Sequence, residues 1–249
     1  MKFNQELMGL SGDLMSTRVC AILMRELKSG VYQDVERLPA EMDLAEQFGV
    51  SRTVIRDALS ILESAGFVQR VRGIGTVINR NIVEINNRLD LKLEYNEMIH
   101  TAGYQAVTDN IILREERSEA SISEKLHIDQ GAPLIVCQKR ILANEKPAIY
   151  SIDYLPLSLF EHINYMALDW SLPIFDLLER YCGLTVLNSI SNVSAVNADS
   201  YISSRLNIPE HTALLSLEEI SFCKLNRPVM YSLAFYTDLF NFTLLRKKF

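Results

Sequence analysis

The sequence predicts an α+β protein with a small N-terminal domain of helices and a larger C-terminal domain of antiparallel strands. The chain has 249 residues, 48% of them hydrophobic and 22% charged, which is sufficient to bury two cores. Apolar residues recur at helical spacing in the first quarter of the chain, and strand-like runs in neighbouring pairs follow residue 105. Paired runs are typical of antiparallel sheets rather than of alternating βαβ units.

Three helices and a hairpin are predicted in the N-terminal domain. The spacing of apolar residues indicates helices over 16–29, 41–48 and 51–65, each followed by a glycine. Ser51 stands where its hydroxyl can cap the third helix by accepting from a free amide of the first turn. Short strand-like runs at 67–71 and 76–79 flank the sequence Gly-Ile-Gly and predict a β-hairpin.

The C-terminal domain is predicted to hold six strands and four short helices. Residues 79–90 are polar and lack a clear period, so we interpret them as a linker between domains covering 1–78 and 91–249. Strands are expected at 106–115, 134–142, 148–155, 185–197, 214–223 and 229–236. Helices are expected at 95–102, 119–126, 173–181 and 200–206.

A faint internal repeat runs through this domain. The stretch LHIDQGAPLIVCQKRILANEKPAIYS can be aligned with LNIPEHTALLSLEEISFCKLNRPVMYS, with a one-residue insertion at the turn. The matched positions are Leu126, Ile128, Leu134, Pro147, Tyr150 and Ser151 in the first copy and Leu206, Ile208, Leu214, Pro228, Tyr231 and Ser232 in the second. Two hairpins with similar turns could share this pattern by chance. The other interpretation is a pseudo-symmetric domain with two equivalent hairpins.

Charge is divided unevenly along the chain. The net charge is −6, yet residues 1–80 hold ten basic and ten acidic side chains, so the acidic excess belongs to the C-terminal part. Residues 51–80 carry five arginines against Asp57 and Glu63. A local basic excess of this kind is compatible with a nucleic-acid partner.

The start of the third helix has the residue types of a DNA-recognition helix. Arg52 and Arg56 are four residues apart and share a helix face, with Ser51 and Thr53 beside them. Arginine can bond bidentately to guanine, and hydroxyls and backbone amides can bind phosphate oxygens. The hairpin that follows adds two more arginines beside glycines. The alternative, a solvated amphipathic helix with ordinary surface arginines, explains the helix alone but not the helix, turn and basic hairpin together.

The stretch LPAEMDLAEQFGVSRTVIRDALSILESAGFVQRVRGIGTVI resembles the winged helix-turn-helix of GntR-family bacterial transcription regulators. The resemblance spans residues 16–78. It implies that operator DNA is contacted by Ser51, Arg52, Thr53 and Arg56, and at the tip of the wing by Arg72 and Gly73. Many members have an arginine directly after Leu-Pro-x-Glu. This chain has Met42 there, so one usual contact is missing or replaced.

The second domain resembles the UTRA effector domain of the HutC subfamily, which has a chorismate-lyase-like fold. The resemblance covers residues 90–245 and implies a pocket between the two hairpins for a small metabolite, often a phosphorylated sugar or a carboxylate. Three positions that usually carry polar ligand groups hold Lys139, Ile141 and Met230 here, which argues against an amino-sugar phosphate. The residues still suited to a pocket are Lys139, Ser151, Asp153, Tyr154, Tyr231, Ser232 and Asp238.

These features predict a cytoplasmic transcription regulator, expected to be a repressor, that binds an inverted-repeat operator as a homodimer and responds to a small metabolite. No cofactor, metal or membrane partner is expected. The four cysteines and four histidines are scattered, and no apolar run approaches the ~20 residues of a membrane helix. Two alternatives stay open. One is a GntR regulator with a helical, metal-binding effector domain. The other is a chorismate-lyase-like enzyme, for which the sequence offers no convincing catalytic set.

Overall fold

The computed structural model describes residues 15–248 of the chain. It divides the chain into two compact units, Met1–Ile85 and Asn86–Phe249. None of the helices within residues 15–248 combines the length and hydrophobicity that a membrane span requires.

The first unit contains three helices, a hairpin and a fourth helix of a single turn. Its elements are α1 (Met15–Ser29), α2 (Glu41–Phe48), α3 (Arg52–Ser64), β1 (Val68–Val71), β2 (Gly75–Ile78) and α4 (Arg80–Val83). The two strands pair antiparallel, with Val68 opposite Ile78 and Val71 opposite Gly75. The predicted order of helices and hairpin is confirmed, whereas α4 is too short to show a helical period in the sequence.

Local sequence fixes the direction in which α3 starts. Gly49 ends α2 in the left-handed conformation, at φ +67°, which a residue without Cβ adopts without steric cost. Ser51 Oγ then accepts a hydrogen bond from the backbone N–H of Val54 at 3.3 Å, so the predicted N-cap is confirmed. Because Phe48 and Ile55 are fully buried on either side of this turn, the N-terminus of α3 is held at the surface of the unit.

The second unit is built around one sheet. Its elements are α5 (Tyr95–Thr101), β3 (Ala106–Arg117), α6 (Ala120–Leu126), β4 (Pro133–Ala143), β5 (Lys146–Pro156), α7 (Ile174–Cys182), β6 (Asn188–Asn197), α8 (Ser200–Leu206), β7 (Ala213–Phe222) and β8 (Pro228–Tyr236). Short 3₁₀ turns lie at Leu157–Phe160, Tyr165–Ala167 and Lys224–Asn226. The six predicted strands and four predicted helices are confirmed within a few residues at their ends.

The sheet has the pseudo-symmetry that the repeat suggested. Its strand order is β3-β4-β5-β8-β7-β6, and every neighbouring pair is antiparallel. One half runs β3-α6-β4-β5 and the other β6-α8-β7-β8, so the two halves meet where β5 pairs with β8. Helices α6 and α8 even end alike, at His127 and Asn207, both in the left-handed conformation. The interpretation as two equivalent hairpins is therefore confirmed.

The two faces of the sheet are covered by different helices. On one face, α5 packs Ile99 into an apolar cluster at one end of the strands, and α7 packs Leu177 into a second cluster at the other end. We call this the α5/α7 face. On the opposite face, α6 and α8 bury Leu126 and Leu206 in two further clusters. We call this the α6/α8 face. Between the two clusters of the α5/α7 face lies a band of polar residues.

The segment interpreted as a linker, 79–90, contains the boundary between the two units and has structure on both sides of it. Its first part forms α4, and the unit boundary falls between Ile85 and Asn86. Its last part belongs to the second unit, because the backbone N–H of Leu89 donates to the carbonyl of Thr243 at 2.9 Å. Asn87 and Arg88 are buried there. The Arg88 side chain pairs with Asp90, whereas the backbone contacts of Asn87 and Arg88 are with Thr243, which a local sequence pattern does not reveal.

Candidate DNA-binding and ligand sites

The residues expected to contact DNA lie together at the start of α3. Ser51, Arg52, Thr53 and Arg56 are all exposed. Arg52 is not isolated, because its Nε donates to Glu41 Oε2 at 2.9 Å while 63% of its side chain stays accessible. Glu41 is the first residue of α2, so this ion pair joins the starts of the two helices. The contact orients Arg52 and leaves most of its guanidinium open to a partner.

The hairpin separates its two arginines by role. Arg72 and Gly73 are exposed at its tip, and Gly73 has φ +79°; apart from its chain neighbours, no atom of residues 15–248 lies within 4 Å of where a Cβ would be. Arg70, by contrast, is turned towards α3, where its Nε donates to Glu63 Oε2 at 2.7 Å and its Nη2 to Ser60 Oγ at 3.0 Å. Arg70 therefore fastens the wing to α3, and Arg72 is the arginine that the wing presents.

The fifth arginine of the basic stretch also has a structural role. Arg80 donates to the backbone carbonyls of Leu27 (2.9 Å), Tyr32 and Val35 (2.6 Å). It thereby satisfies carbonyls at the end of α1 and in the loop that follows. Of the five arginines in residues 51–80, the three that remain open to DNA are Arg52, Arg56 and Arg72.

A groove of about 700 Å³ separates α2 and the start of α3 from the wing. Arg52, Arg70 and Arg72 line it together with Met42, whose exposed fraction is 68%. Met42 is the position where the resemblance leads one to expect an arginine. The departure in sequence thus lies inside the groove, where it replaces a charged contact with a thioether.

The second site is the polar band on the α5/α7 face. Lys139 on β4 lies opposite Ser151 on β5, and Asp153 on β5 lies opposite Ser232 on β8. All four were expected in a pocket from the sequence, and the structure brings them to one face, each with at most 4% of its surface exposed. Ile141 and Met230, which replace usual polar groups, lie in the apolar clusters on either side.

Three other residues expected in the pocket lie elsewhere. Tyr154 comes directly after Asp153, and Tyr231 comes directly before Ser232. Both tyrosines therefore point to the α6/α8 face, where the centroids of their stacked rings are 5.5 Å apart. The Tyr231 hydroxyl donates to Glu218 there, at 3.0 Å. Asp238 is exposed beyond the end of β8. These residues do not share a site with Lys139, because side chains alternate between the faces of a strand.

Sequence reasoning missed three charged residues of the band: Lys92, Glu94 and Glu219. Glu219 is 4% exposed and lies opposite Ser232 on β7. Lys92 Nζ donates to its Oε2, and Ser191 Oγ donates to its Oε1. The internal repeat did contain a signal for Glu219. Glu219 lies five residues after Leu214, just as Lys139 lies five residues after the matched Leu134 in the first copy. Lys92 and Glu94 gave no such signal. We call Lys139, Ser151, Asp153, Glu219 and Ser232 the polar belt.

Two cavities border the polar belt. The larger, about 290 Å³, is lined by residues 87–93 together with Glu219, Ser191 and Tyr236. The smaller, about 20 Å³, is lined by Glu94, Lys139 and Asp153 among others. A volume near 300 Å³ is at the lower end of the range for metabolite pockets. The arrangement can hold a small polar molecule against charged groups of both signs.

Burial raises the pKa of two carboxyl groups of this region, those of Glu94 and Asp153. It raises the pKa of Glu94 to about 7, although Lys92 and Lys139 act in the opposite direction. It raises the pKa of Asp153 to about 6, again against the pull of Lys139 and Lys92. Desolvation therefore outweighs the nearby lysines at both groups.

Exposed arginines on a helix-turn-helix with a wing, followed by a sheet domain with a buried polar belt, define a DNA-binding transcription regulator with a ligand-sensing domain. Residues 15–78 match the bacterial regulatory proteins of the gntR family, and residues 101–238 match the UTRA domain. The chain belongs to the GntR family and, within it, to the regulators that carry a UTRA domain.

Similar proteins bear regulator names. The HTH-type transcriptional regulator YurK of Bacillus subtilis is 24% identical over 90% of this chain and 91% of its own length. The probable fructoselysine utilization operon transcriptional repressor of Escherichia coli is 24% identical over 89% and 90%. The crystal structure of the possible transcriptional regulator YydK of Bacillus subtilis has a TM-score of 0.73 at 19% identity, covering 94% of this chain and all of its own. That likeness shows the shared fold.

These findings favour neither alternative left open by the sequence. The second unit is a six-stranded sheet and not a helical domain. Within residues 15–248, no group of three histidine, cysteine, aspartate or glutamate side chains is placed to hold a metal ion. The relatives are named as regulators or repressors, and none of those described above is named as an enzyme.

Proposed function

We propose that this chain is a repressor whose affinity for an inverted-repeat operator is controlled by a small metabolite bound at the polar belt. The observation that carries the proposal is the lining of the larger cavity. Residues 87–93 form part of its wall and directly follow the boundary between the two units. A ligand in this cavity touches the segment by which the DNA-binding unit is attached, so its binding energy can favour one state of that segment.

On the DNA side, Arg52 and Arg56 read bases and Arg72 binds phosphate in this proposal. Operator duplexes are selected from a random-sequence library with the full chain, and their affinities are measured by fluorescence anisotropy at fixed salt. Arg56→Ala should weaken operator binding by about 1–3 kcal/mol and non-specific binding much less. Arg72→Ala should weaken both to a similar degree and reduce the salt slope by about 1. Lys28→Ala, at the exposed end of α1, is the matched control.

If Arg56→Ala, Arg72→Ala and the parent chain bind the operator equally well at matched salt, the assignment of the recognition helix and wing is wrong.

A homodimer follows from how little charge one DNA-binding unit presents. The three open arginines of residues 51–80 offer few phosphate contacts, and two linked units gain affinity through effective concentration. Edge strand β6 supplies a surface for a second copy. Its ten residues contain no charged side chain, and Ile190 and Val193 have exposed fractions of 62% and 49%. Natural edge strands usually carry charges or proline that prevent pairing.

Sedimentation tests the dimer. Ile190→Lys together with Val193→Lys should produce monomers and weaken operator binding, whereas Val107→Lys on β3, at the other sheet edge, should leave the dimer intact. A parent chain that sediments as a monomer at micromolar concentration and binds a half-site with full affinity would refute the dimer.

On the ligand side, Lys139 is the group that meets a negatively charged part of the metabolite, such as a phosphate or a carboxylate. Thermal-shift screening of the full chain with sugar phosphates, amino acids and organic acids identifies candidates, since a ligand at 100 times its Kd adds about 2.7 kcal/mol. Linkage then requires the operator to change the affinity of the ligand by the same factor by which the ligand changes the affinity of the operator. A ligand whose Kd is unaltered by saturating operator does not control this regulator.

A further inference from the structure

The charges around the polar belt do not balance. Carboxylates outnumber ammonium groups here: Glu94, Asp153 and Glu219 lie near Lys92 and Lys139, and Asp176 on α7 adds a further negative charge near Glu94. Glu219 is well satisfied by Lys92 and by Ser191. The Lys139 ammonium donates to the backbone carbonyl of Leu172 at 2.9 Å. Lys92 is thus paired with Glu219, and Lys139 is held by the carbonyl of Leu172.

The carboxylates of Asp153 and Glu94 each have an oxygen without a partner. Asp153 is 2% exposed, and its Oδ2 has no hydrogen-bond partner among residues 15–248. Glu94 Oε1 is likewise buried and unpartnered. Buried carboxylate oxygens are normally paired, because removing a charge from water without compensation is costly. Both residues line the same small cavity together with Lys139, so two carboxylates that each have an unpartnered oxygen border one small space.

The size of this cavity restricts what it can hold. About 20 Å³ accommodates one small group, since a water molecule needs roughly 10–15 Å³ on this measure. An ammonium group has that size, provides three donors and carries the charge opposite to that of the two carboxylates. A phosphate is larger, has only acceptors when ionised and would be repelled.

We propose that the effector carries an ammonium group, which Asp153 and Glu94 bind in the small cavity while the rest of the molecule occupies the larger cavity beside Lys92 and Glu219. This inference rests on the proposed ligand control and specifies the class of ligand. The site selects an ammonium group over a neutral hydroxyl, because only the ammonium group offsets the negative charge of the two carboxylates.

Methylammonium chloride is the probe, because it is the smallest alkylammonium salt and needs no knowledge of the whole effector. Thermal unfolding of the full chain is followed as its concentration rises, with sodium chloride and tetramethylammonium chloride at equal concentrations as controls. We expect a saturable rise of the unfolding midpoint with methylammonium alone, because tetramethylammonium is too large and lacks N–H donors. Asp153→Asn and Glu94→Gln should each weaken the apparent affinity at least about tenfold. Glu145→Gln, an exposed carboxylate in the β4–β5 turn, should behave as the parent.

The proposal is overturned if methylammonium shifts the midpoint of the parent no more than sodium chloride, or no more than tetramethylammonium. It is also overturned if both variants respond as the parent does. If Asp153→Asn does not fold, the Glu94→Gln variant decides. An anionic metabolite that releases operator, with no methylammonium binding, would refute the ammonium site and leave ligand control standing. Methylammonium binding, with no metabolite of any class altering operator affinity, would refute ligand control and leave the site.

Discussion

Arg80 and Arg72 provide a sharp test, because they lie eight residues apart in the same basic stretch and have different roles in the structure. Arg80→Met removes a guanidinium that donates to three backbone carbonyls, those of Leu27, Tyr32 and Val35. Arg72→Met removes the same charge from the exposed tip of the wing. Methionine keeps the length of the side chain in both cases. The two variants therefore separate a structural arginine from a DNA-binding one.

The magnitude follows from the three contacts. A hydrogen bond from a charged donor contributes about 1.5–3 kcal/mol when its acceptor cannot find water instead. Two of the carbonyls are partly buried, and the third, that of Val35, is exposed and can be rehydrated. We therefore expect Arg80→Met to cost about 2–4 kcal/mol, which for a domain of this size lowers the unfolding midpoint by on the order of 10 °C or more. Arg72→Met should stay within about 0.5 kcal/mol of the parent.

Differential scanning calorimetry of the full chain measures the unfolding transition of the first unit. Hydrogen exchange with mass spectrometry locates the loss, which should concentrate in α1 and the loop after it. At a temperature where both variants are folded, operator affinity should fall in Arg72→Met and be nearly unchanged in Arg80→Met. The reasoning is refuted if Arg80→Met is as stable as the parent, and above all if it loses operator affinity while remaining stable. Arg80 would then be a DNA contact, as its place in the basic stretch first suggests.

Three further predictions concern single residues. Met42→Arg should raise operator affinity and make the slope of log affinity against log salt concentration steeper by about 0.9, because the new arginine adds one phosphate contact in the groove. An unchanged slope in anisotropy titrations would show that Met42 does not face DNA. Asp199→Ala removes the side chain that caps α8 by accepting from the N–H of Ile202 at 2.8 Å, and urea unfolding should show a loss of about 1 kcal/mol, with Asp199→Asn close to the parent. Burial raises the pKa of Glu94 from 4.5 to about 7, so the folded chain binds this proton more tightly than the unfolded chain does, and the protonated carboxyl stabilises the fold in acid but not once pH has risen from 4.5 through 7. Glu94→Gln should flatten the fall of the unfolding free energy between these pH values, and an unaltered pH profile would contradict the burial of the Glu94 carboxylate.

Element boundaries were predictable because local chemistry sets them. Glycines in the left-handed conformation end α2 and α7, and alternating or continuous apolar runs mark the strands. The single turn of α4 and the 3₁₀ turns were not predictable, since they are shorter than one repeat of any hydrophobic pattern. The packing of the last part of the predicted linker was not predictable, for a different reason. Asn87 and Arg88 look solvated locally and become buried through contacts with the C-terminal segment.

The composition of the polar belt was only half predictable. Ser151 and Asp153 share a face by their spacing of two, and the same rule places Tyr154 on the other face, so its inclusion was avoidable from the sequence alone. In Gln138-Lys139-Arg140 the sequence offers three polar residues in a row. The sheet shows that Lys139 faces the belt, whereas Arg140 pairs with Asp109 on the other side, at 2.7 Å. Lys92 and Glu94 are brought next to the belt by tertiary packing, for which local spacing contains no signal.

The pseudo-symmetry of the sheet makes the charges of the belt informative. Equivalent positions in the two halves hold Lys139 and Glu219, and Ser151 and Ser232. A belt with like residues at both pairs would bind an unsymmetrical metabolite in two orientations of nearly equal energy. Opposite charges at one pair remove that degeneracy, so one end of the ligand is matched to each half. The half with Glu219 is also the half whose charge is neutralised by Lys92, from residues 87–93. In the proposed binding mode, the part of the effector in the larger cavity lies beside Lys92 and Glu219 and can change their ion pair, and with it residues 87–93. The ammonium group held by Asp153 and Glu94 then fixes the orientation that brings this part of the effector to Lys92.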